Sequence, residues 1–79
     1  MDRKEILEKV ELIFRDLLDE DDFVLAEDMS KDSVDGWDSL FHITLMASVA
    51  DEFDIDISSD DIVNTTDVAG IIDIVEKVL

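Results

Sequence analysis

The stretch DGWDSLFHITLMASVADEF, residues 35–53, holds the sharpest change of pattern in this 79-residue chain. Gly36 gives the turn before Asp38 access to backbone conformations that are closed to other residues. Aspartate is a favoured N-cap residue, so Asp38 predicts the start of a helix. Apolar residues then recur at helical spacing: Leu45, Met46, Val49 and Phe53. The stretch therefore predicts the end of a loop, followed directly by an amphipathic helix.

Upstream, a first amphipathic helix is predicted from about Arg3 to Leu18. Asp2, followed three residues later by Glu5, resembles a capping box. The apolar stripe of this helix consists of Ile6, Val10, Ile13, Phe14 and Leu17. Residues 19–37 lose the periodicity and predict a long loop pinned to the core by Val24, Leu25, Met29 and Val34. A loop of this length in a compact domain is usually functional.

Downstream, two more helices are predicted. After a break at residues 54–57, Ser58 and Asp61 predict a short capped helix near residues 60–64. We expect a last helix to open at residues 65–66, with Asp67 in its first turn, and to run to Leu79. Its predicted buried face consists of Val68, Ile71, Ile72, Val75 and Val78.

Only residues 53–57 alternate between apolar and polar side chains, and a single strand cannot form a sheet. The predicted fold class is all-α, a small up-down helical bundle with three main helices and one short helix. A long loop separates the first and second helices. The length of the chain predicts a single domain over residues 1–79.

The charge balance excludes several classes of function. Twenty-three Asp and Glu oppose six Lys and Arg, giving a formal net charge of -17. Such a chain does not neutralise phosphates, so we expect no nucleic-acid partner, and anionic membrane surfaces are disfavoured. Basic proteins are the favoured partners. Because the charges repel one another, we expect stability to rise with added salt.

The sequence contains no cysteine, which excludes disulfides and cysteine-based metal sites. Its apolar runs are too short for a membrane span, and residues 1–5 lack the apolar core of a signal peptide. We therefore expect no membrane insertion and a cytoplasmic location.

Ser39 is the candidate functional residue. It lies just inside the predicted N-terminus of the second helix, where backbone N–H groups lack intrahelical partners. Such groups can receive a phosphate, so a phosphodiester on the Ser39 hydroxyl would be stabilised where it forms. The loop ends here, so we expect the serine to be exposed.

At the start of the second helix, after the long loop, the run Asp38-Ser39-Leu40 resembles the Asp-Ser-Leu signature of acyl carrier proteins. The resemblance covers the whole chain. It implies a discrete, non-enzymatic carrier domain in which Ser39 bears 4'-phosphopantetheine derived from coenzyme A. Asp38 and Leu40 would be recognition residues beside it. Acyl groups would travel on the arm as thioesters between enzymes of fatty-acid, lipid or secondary-metabolite biosynthesis.

The resemblance also implies the partners. These are a phosphopantetheinyl transferase that uses magnesium, an acyl- or aminoacyl-loading enzyme, and acyl-consuming enzymes. We expect the chain to act as a monomer. Two other functions stay open: an aminoacyl or peptidyl carrier of a secondary-metabolite pathway, and an acidic helical interaction module without a prosthetic group.

His42 has three interpretations. A catalytic pair with Ser39 is disfavoured, because no third group orients it and no Gly-x-Ser-x-Gly elbow is present. The simplest interpretation is a surface histidine. The third is a histidine that donates a hydrogen bond to the phosphodiester on Ser39.

Trp37, Phe41 and Ile43 are candidate docking residues. Trp37 is interpreted first as an anchor of the loop end and second as an exposed contact. Phe41 and Thr44 stand where fatty-acid carriers commonly have acidic residues, which favours a specialised carrier that docks through an apolar patch around Leu40, Phe41 and Ile43. The alternative is that Phe41 packs against Trp37.

The acidic residues between 54 and 61 do not fit a calcium loop. An EF-hand that starts at Asp54 would have Ser59 in place of the required glycine and Thr65 in place of the bidentate glutamate. We therefore expect no specific metal site.

Overall fold

Four helices form from the segments with helical periodicity. The computed structural model describes all residues from Met1 to Leu79. Its helices are α1 (Arg3–Leu18), α2 (Ser39–Phe53), α3 (Ser59–Asn64) and α4 (Val68–Val78). There is no strand, and one isolated antiparallel bridge pairs Ser30 with Asp67. The predicted all-α bundle with three main helices and one short helix is confirmed.

Each helix begins at a side chain that caps it. The side chains of Asp2, Asp38, Ser58 and Asp67 each accept a hydrogen bond from the backbone N–H three residues further on. Glu5 makes no return bond to Asp2, so the predicted capping box is only half formed. α3 begins at Ser59, one residue before the predicted range.

The predicted start of the last helix is wrong. Asp67 is the N-cap of α4 and lies outside its first turn, because its carboxylate accepts the Gly70 N–H at 2.7 Å. The backbone of Thr66 is committed elsewhere, since its carbonyl accepts the Lys31 N–H at 2.9 Å. The predicted burial of Val78 is also wrong. Its side chain is 48% exposed, because it lies in the last turn of α4, beyond the core.

The core is built where α1 packs against α2 and α4. All four residues of the predicted α2 stripe are buried, and so are Ile6, Val10 and Phe14 of α1. Ile13 and Leu17 pack against the core and are partly buried. None of the four helices combines the length and the apolar character needed to cross a membrane.

The long loop between α1 and α2 is held against the core by apolar side chains. Leu25 and Val34 are buried as predicted, and Met29 is partly buried. Val24, however, is 66% exposed. Its neighbour Phe23 takes the predicted place, since its ring stacks on Phe14 with 5.8 Å between centroids.

Polar contacts with α1 and with the start of α4 also fix the same loop. Arg15 donates to the Phe23 carbonyl at 2.7 Å, and the Leu25 N–H donates to Glu11 at 2.8 Å. Further along, Val68 N–H donates to the Met29 carbonyl at 3.0 Å, which ties the loop to the start of α4. The loop therefore has a defined path that ends at the start of α2.

Arg3 joins three parts of the chain. Its guanidinium donates to Glu27 at 2.6 Å in the loop, and to Asp73 at 2.7 Å and Glu76 at 2.6 Å on α4. The hydrogen bonds to Glu27, and then those to Asp73 and Glu76, raise the pKa of Arg3 above its ordinary value. The start of α1 is thereby linked to the loop and to α4.

Candidate functional site

The turn that precedes α2 places Ser39 at a helix end. Gly36 has a φ of 90°, in the left-handed region that favours glycine. Asp38 follows in an extended conformation, and its carboxylate accepts the Phe41 N–H at 2.8 Å. Ser39 is therefore the first residue of α2, and its side chain is exposed, as predicted.

The backbone around Ser39 has unused hydrogen-bond donors. The N–H groups of Ser39 and Leu40 make no hydrogen bond within the chain, whereas those of Phe41 and His42 are both paired with Asp38. Free N–H groups at the positive end of a helix are suited to an anion. The geometry thus leaves two donors available to a phosphate on this serine.

His42 is buried and fully bonded, so two of its interpretations are wrong. The residue is only 7% exposed and is therefore not a surface histidine. Its Nδ1 accepts the Trp37 Nε1–H at 2.9 Å, and its Nε2 lies 2.7 Å from the Ile62 carbonyl oxygen. Both ring nitrogens are thus engaged, and neither is free for a phosphodiester on Ser39. We call the chain of contacts Trp37–His42–Ile62 the imidazole bridge.

Trp37 is an anchor of the loop end and not an exposed docking contact. Its side chain is 3% exposed. The indole packs edge-on against Phe14 with 5.2 Å between centroids, and it stacks on the His42 ring at 5.9 Å. The indole N–H is satisfied by His42, which allows the residue to be buried.

A groove opens beside Ser39, between the start of α2 and α3. Its volume is about 220 Å³. Apolar side chains line it together with the serine and a cation. The lining residues are Lys31, Ser39, His42, Ile43, Ile62 and Val63.

Exposed apolar side chains lie in this groove and next to Ser39 in the chain. Leu40 is 76% exposed, Ile43 59% and Val63 75%. Phe41 is different, because it is partly buried and its ring lies 5.7 Å from that of Phe14. Phe41 therefore packs inward, and Leu40 and Ile43 are the exposed members of the predicted apolar patch.

Sequence reasoning missed Lys31, Ile62 and Val63. A signal for Lys31 exists, since it is the only Lys or Arg between Arg15 and Lys77. Ile62 and Val63 carry no such signal, because they reach Ser39 only through the packing of α3. Elsewhere, no three acidic or histidine side chains converge as they would around a metal ion.

Comparison of the chain with family models, with curated proteins and with solved structures found no match.

Proposed function

We propose that this chain is an acyl carrier protein, with 4'-phosphopantetheine attached to Ser39 and acyl groups carried as thioesters on that arm. The observation that carries the proposal is the setting of Ser39. It is an exposed serine at the first position of a capped helix, with two free N–H donors, within the run Asp38-Ser39-Leu40.

The residues around Ser39 fit such a group. The free N–H groups of Ser39 and Leu40 suit the phosphodiester, and Lys31 supplies a positive charge at the same groove. The apolar side chains of Ile43 and Val63 suit the arm and the start of its cargo. When bound, the arm supplies the thiol that the chain itself lacks, since the sequence contains no cysteine.

Attachment needs little from the chain beyond the serine. Ser39 Oγ would form the new bond to phosphorus, while its hydroxyl proton and the adenosine bisphosphate part of coenzyme A leave. A phosphopantetheinyl transferase with magnesium supplies the catalysis. The contribution of this chain is to expose the hydroxyl and to stabilise the product phosphodiester.

The decisive experiment is the intact mass after incubation with coenzyme A, magnesium and a broad-specificity transferase. Wild type should gain one phosphopantetheine, and Ser39→Ala should gain none. Ser59→Ala is the matched control, because Ser59 is the exposed first residue of α3, as Ser39 is of α2. It should be modified like wild type.

Two outcomes would contradict the proposal. One is a wild-type chain that stays unmodified, which would favour an acidic interaction module. The other is a Ser39→Ala chain that is modified as fully as wild type. Once the arm is attached, the mass of the group loaded on it distinguishes an acyl carrier from an aminoacyl carrier.

A further inference from the structure

α3 is the least secured helix of the bundle. It has only six residues, and none of them is buried. Ile62 packs against the core and is partly buried, whereas Val63 is 75% exposed. Elements with few buried contacts open at a lower free energy than the core does.

A single hydrogen bond joins α3 to another element. All other hydrogen bonds of Ser59–Asn64 stay within residues 58–65. The exception is the 2.7 Å contact between His42 Nε2 and the Ile62 carbonyl oxygen. Breaking this contact leaves α3 with side-chain packing alone.

The other side of the imidazole bridge is rigid and sets the state of the ring. Trp37 Nε1 can only donate, so His42 Nδ1 must accept and cannot carry a proton. The proton of the neutral ring is then on Nε2, where it can be donated to Ile62. Because Trp37 is packed against Phe14, the ring is held from the core side.

We propose that His42 is a positioning residue that holds α3 against α2 and thereby sets the width of the groove beside Ser39. Both His42 and Ile62 line that groove, so movement of α3 changes its walls directly. The importance of the groove width for a carried acyl group rests on the proposed carrier function. The imidazole bridge itself belongs to the unmodified chain. The proposal for His42 and the proposed carrier function can therefore fail separately.

The test is amide hydrogen exchange of the unmodified chain, followed by NMR. In His42→Leu, the amides of α3 and Thr65 should exchange about tenfold faster than in wild type, relative to those of α1 and α4. His42→Gln should recover much of this protection, because its amide nitrogen lies about as far along the side chain as Nε2. Trp37→Phe removes the donor that fixes the tautomer, so it should also loosen α3.

Val49→Ala is the matched control. Val49 is fully buried on the same helix and has no polar side-chain contact. Its truncation should accelerate exchange in all helices together. If His42→Leu behaves like Val49→Ala, or leaves α3 unchanged, His42 is only a core residue and the proposal is wrong.

A measurement on wild type keeps the proposal testable even if His42→Leu does not fold. The ¹⁵N chemical shifts of the imidazole should identify the neutral tautomer with its proton on Nε2. A proton on Nδ1 would overturn the proposal. Failure of Ser39 to accept phosphopantetheine would overturn the carrier function and leave these results in place.

Discussion

Ser39 and His42 lie one helical turn apart and have opposite roles. Ser39 is exposed at the start of α2, whereas His42 is 7% exposed and is bonded to the buried Trp37. Both nitrogens of His42 are bonded, so the ring is not free to accept the proton of the Ser39 hydroxyl. The serine hydroxyl is left exposed, and the histidine serves the structure.

Leu40 is the side chain beside Ser39 best placed to touch a partner, since it is 76% exposed and does not line the groove. We predict that Leu40→Glu slows phosphopantetheine transfer, raising KM about tenfold, because in the proposed carrier it removes an apolar contact with the transferase. The melting temperature should stay near the wild-type value. Steady-state transfer kinetics and thermal unfolding measure the two effects.

Leu12→Glu is the control for this prediction. Leu12 is 61% exposed on α1 and receives the same added negative charge. If both variants raise KM equally, the effect comes from net charge and not from a contact at Leu40. If neither does, Leu40 lies outside the docking surface.

Local interactions made the first part of the site predictable. The Asp38 cap joins residues only three apart, so the pattern alone located the start of α2 and the exposure of Ser39. The role of His42 could not be read in this way, because its partner Ile62 lies twenty residues further along. The same reason hid Val63, and the stacking of Phe23 on Phe14 was likewise not predicted by the pattern.

At the scale of elements, α1 and α2 end in the same manner. Asp19 and Asp54 follow the two helices with φ values of 57° and 54°, in the left-handed region. The N–H of each residue donates to carbonyls of the preceding turn. Aspartate tolerates this conformation better than most residues, but glycine adopts it with less strain.

We predict that Asp54→Gly raises the free energy of unfolding by about 0.5–1 kcal/mol, because it relieves the left-handed strain. It also removes a negative charge from the negative end of α2, which is favourable. Asp54→Asn removes only the charge and should give a smaller gain. Urea unfolding of the three proteins separates the contributions.

Asp54→Ala tests the contribution of the left-handed conformation to the free energy of unfolding. Alanine removes the charge as well, but it adopts the left-handed conformation poorly, so it should be less stable than Asp54→Asn. Equal stability of the alanine and glycine variants would show that the conformation of residue 54 contributes nothing and that charge alone accounts for the gain.

The helix ends show which boundaries the sequence pattern could predict and which it could not. The break at residues 54–57 was visible as a loss of periodicity. The start of α4 was not, because Thr65, Thr66 and Asp67 are all possible caps by type. The choice depends on Lys31, whose N–H takes the Thr66 carbonyl from a loop more than thirty residues earlier.

At the scale of the whole molecule, charge opposes compactness. A net charge of -17 is held within dimensions of 28 × 24 × 21 Å. Salt acts unequally on the interactions within that volume. Repulsion across the molecule spans more than the Debye length of about 10 Å at 0.1 M salt and is largely screened. The ion pairs of Arg3, at 2.6–2.7 Å, are shorter than this length and are screened less.

We therefore predict that the melting temperature of wild type rises between low and physiological salt. Arg3→Met should melt below wild type at both salt concentrations, because Glu27, Asp73 and Glu76 lose the cation that links α1, the loop and α4. Thermal unfolding followed by circular dichroism measures both effects.

Lys4→Met tests whether the effect of Arg3 comes from its position or from its charge. Lys4 is exposed, is next to Arg3 in the chain and makes no ion pair, yet its replacement raises the net negative charge by the same amount. If general repulsion is the cause, the melting temperatures of the two variants fall equally below that of wild type, and added salt restores both. A role for the ion pairs predicts that Lys4→Met recovers with salt and that Arg3→Met keeps a deficit, since screening removes repulsion but cannot replace bonds at 2.6 Å. Equal melting temperatures for the two variants at physiological salt would show that the three ion pairs of Arg3 add nothing to the stability of the fold.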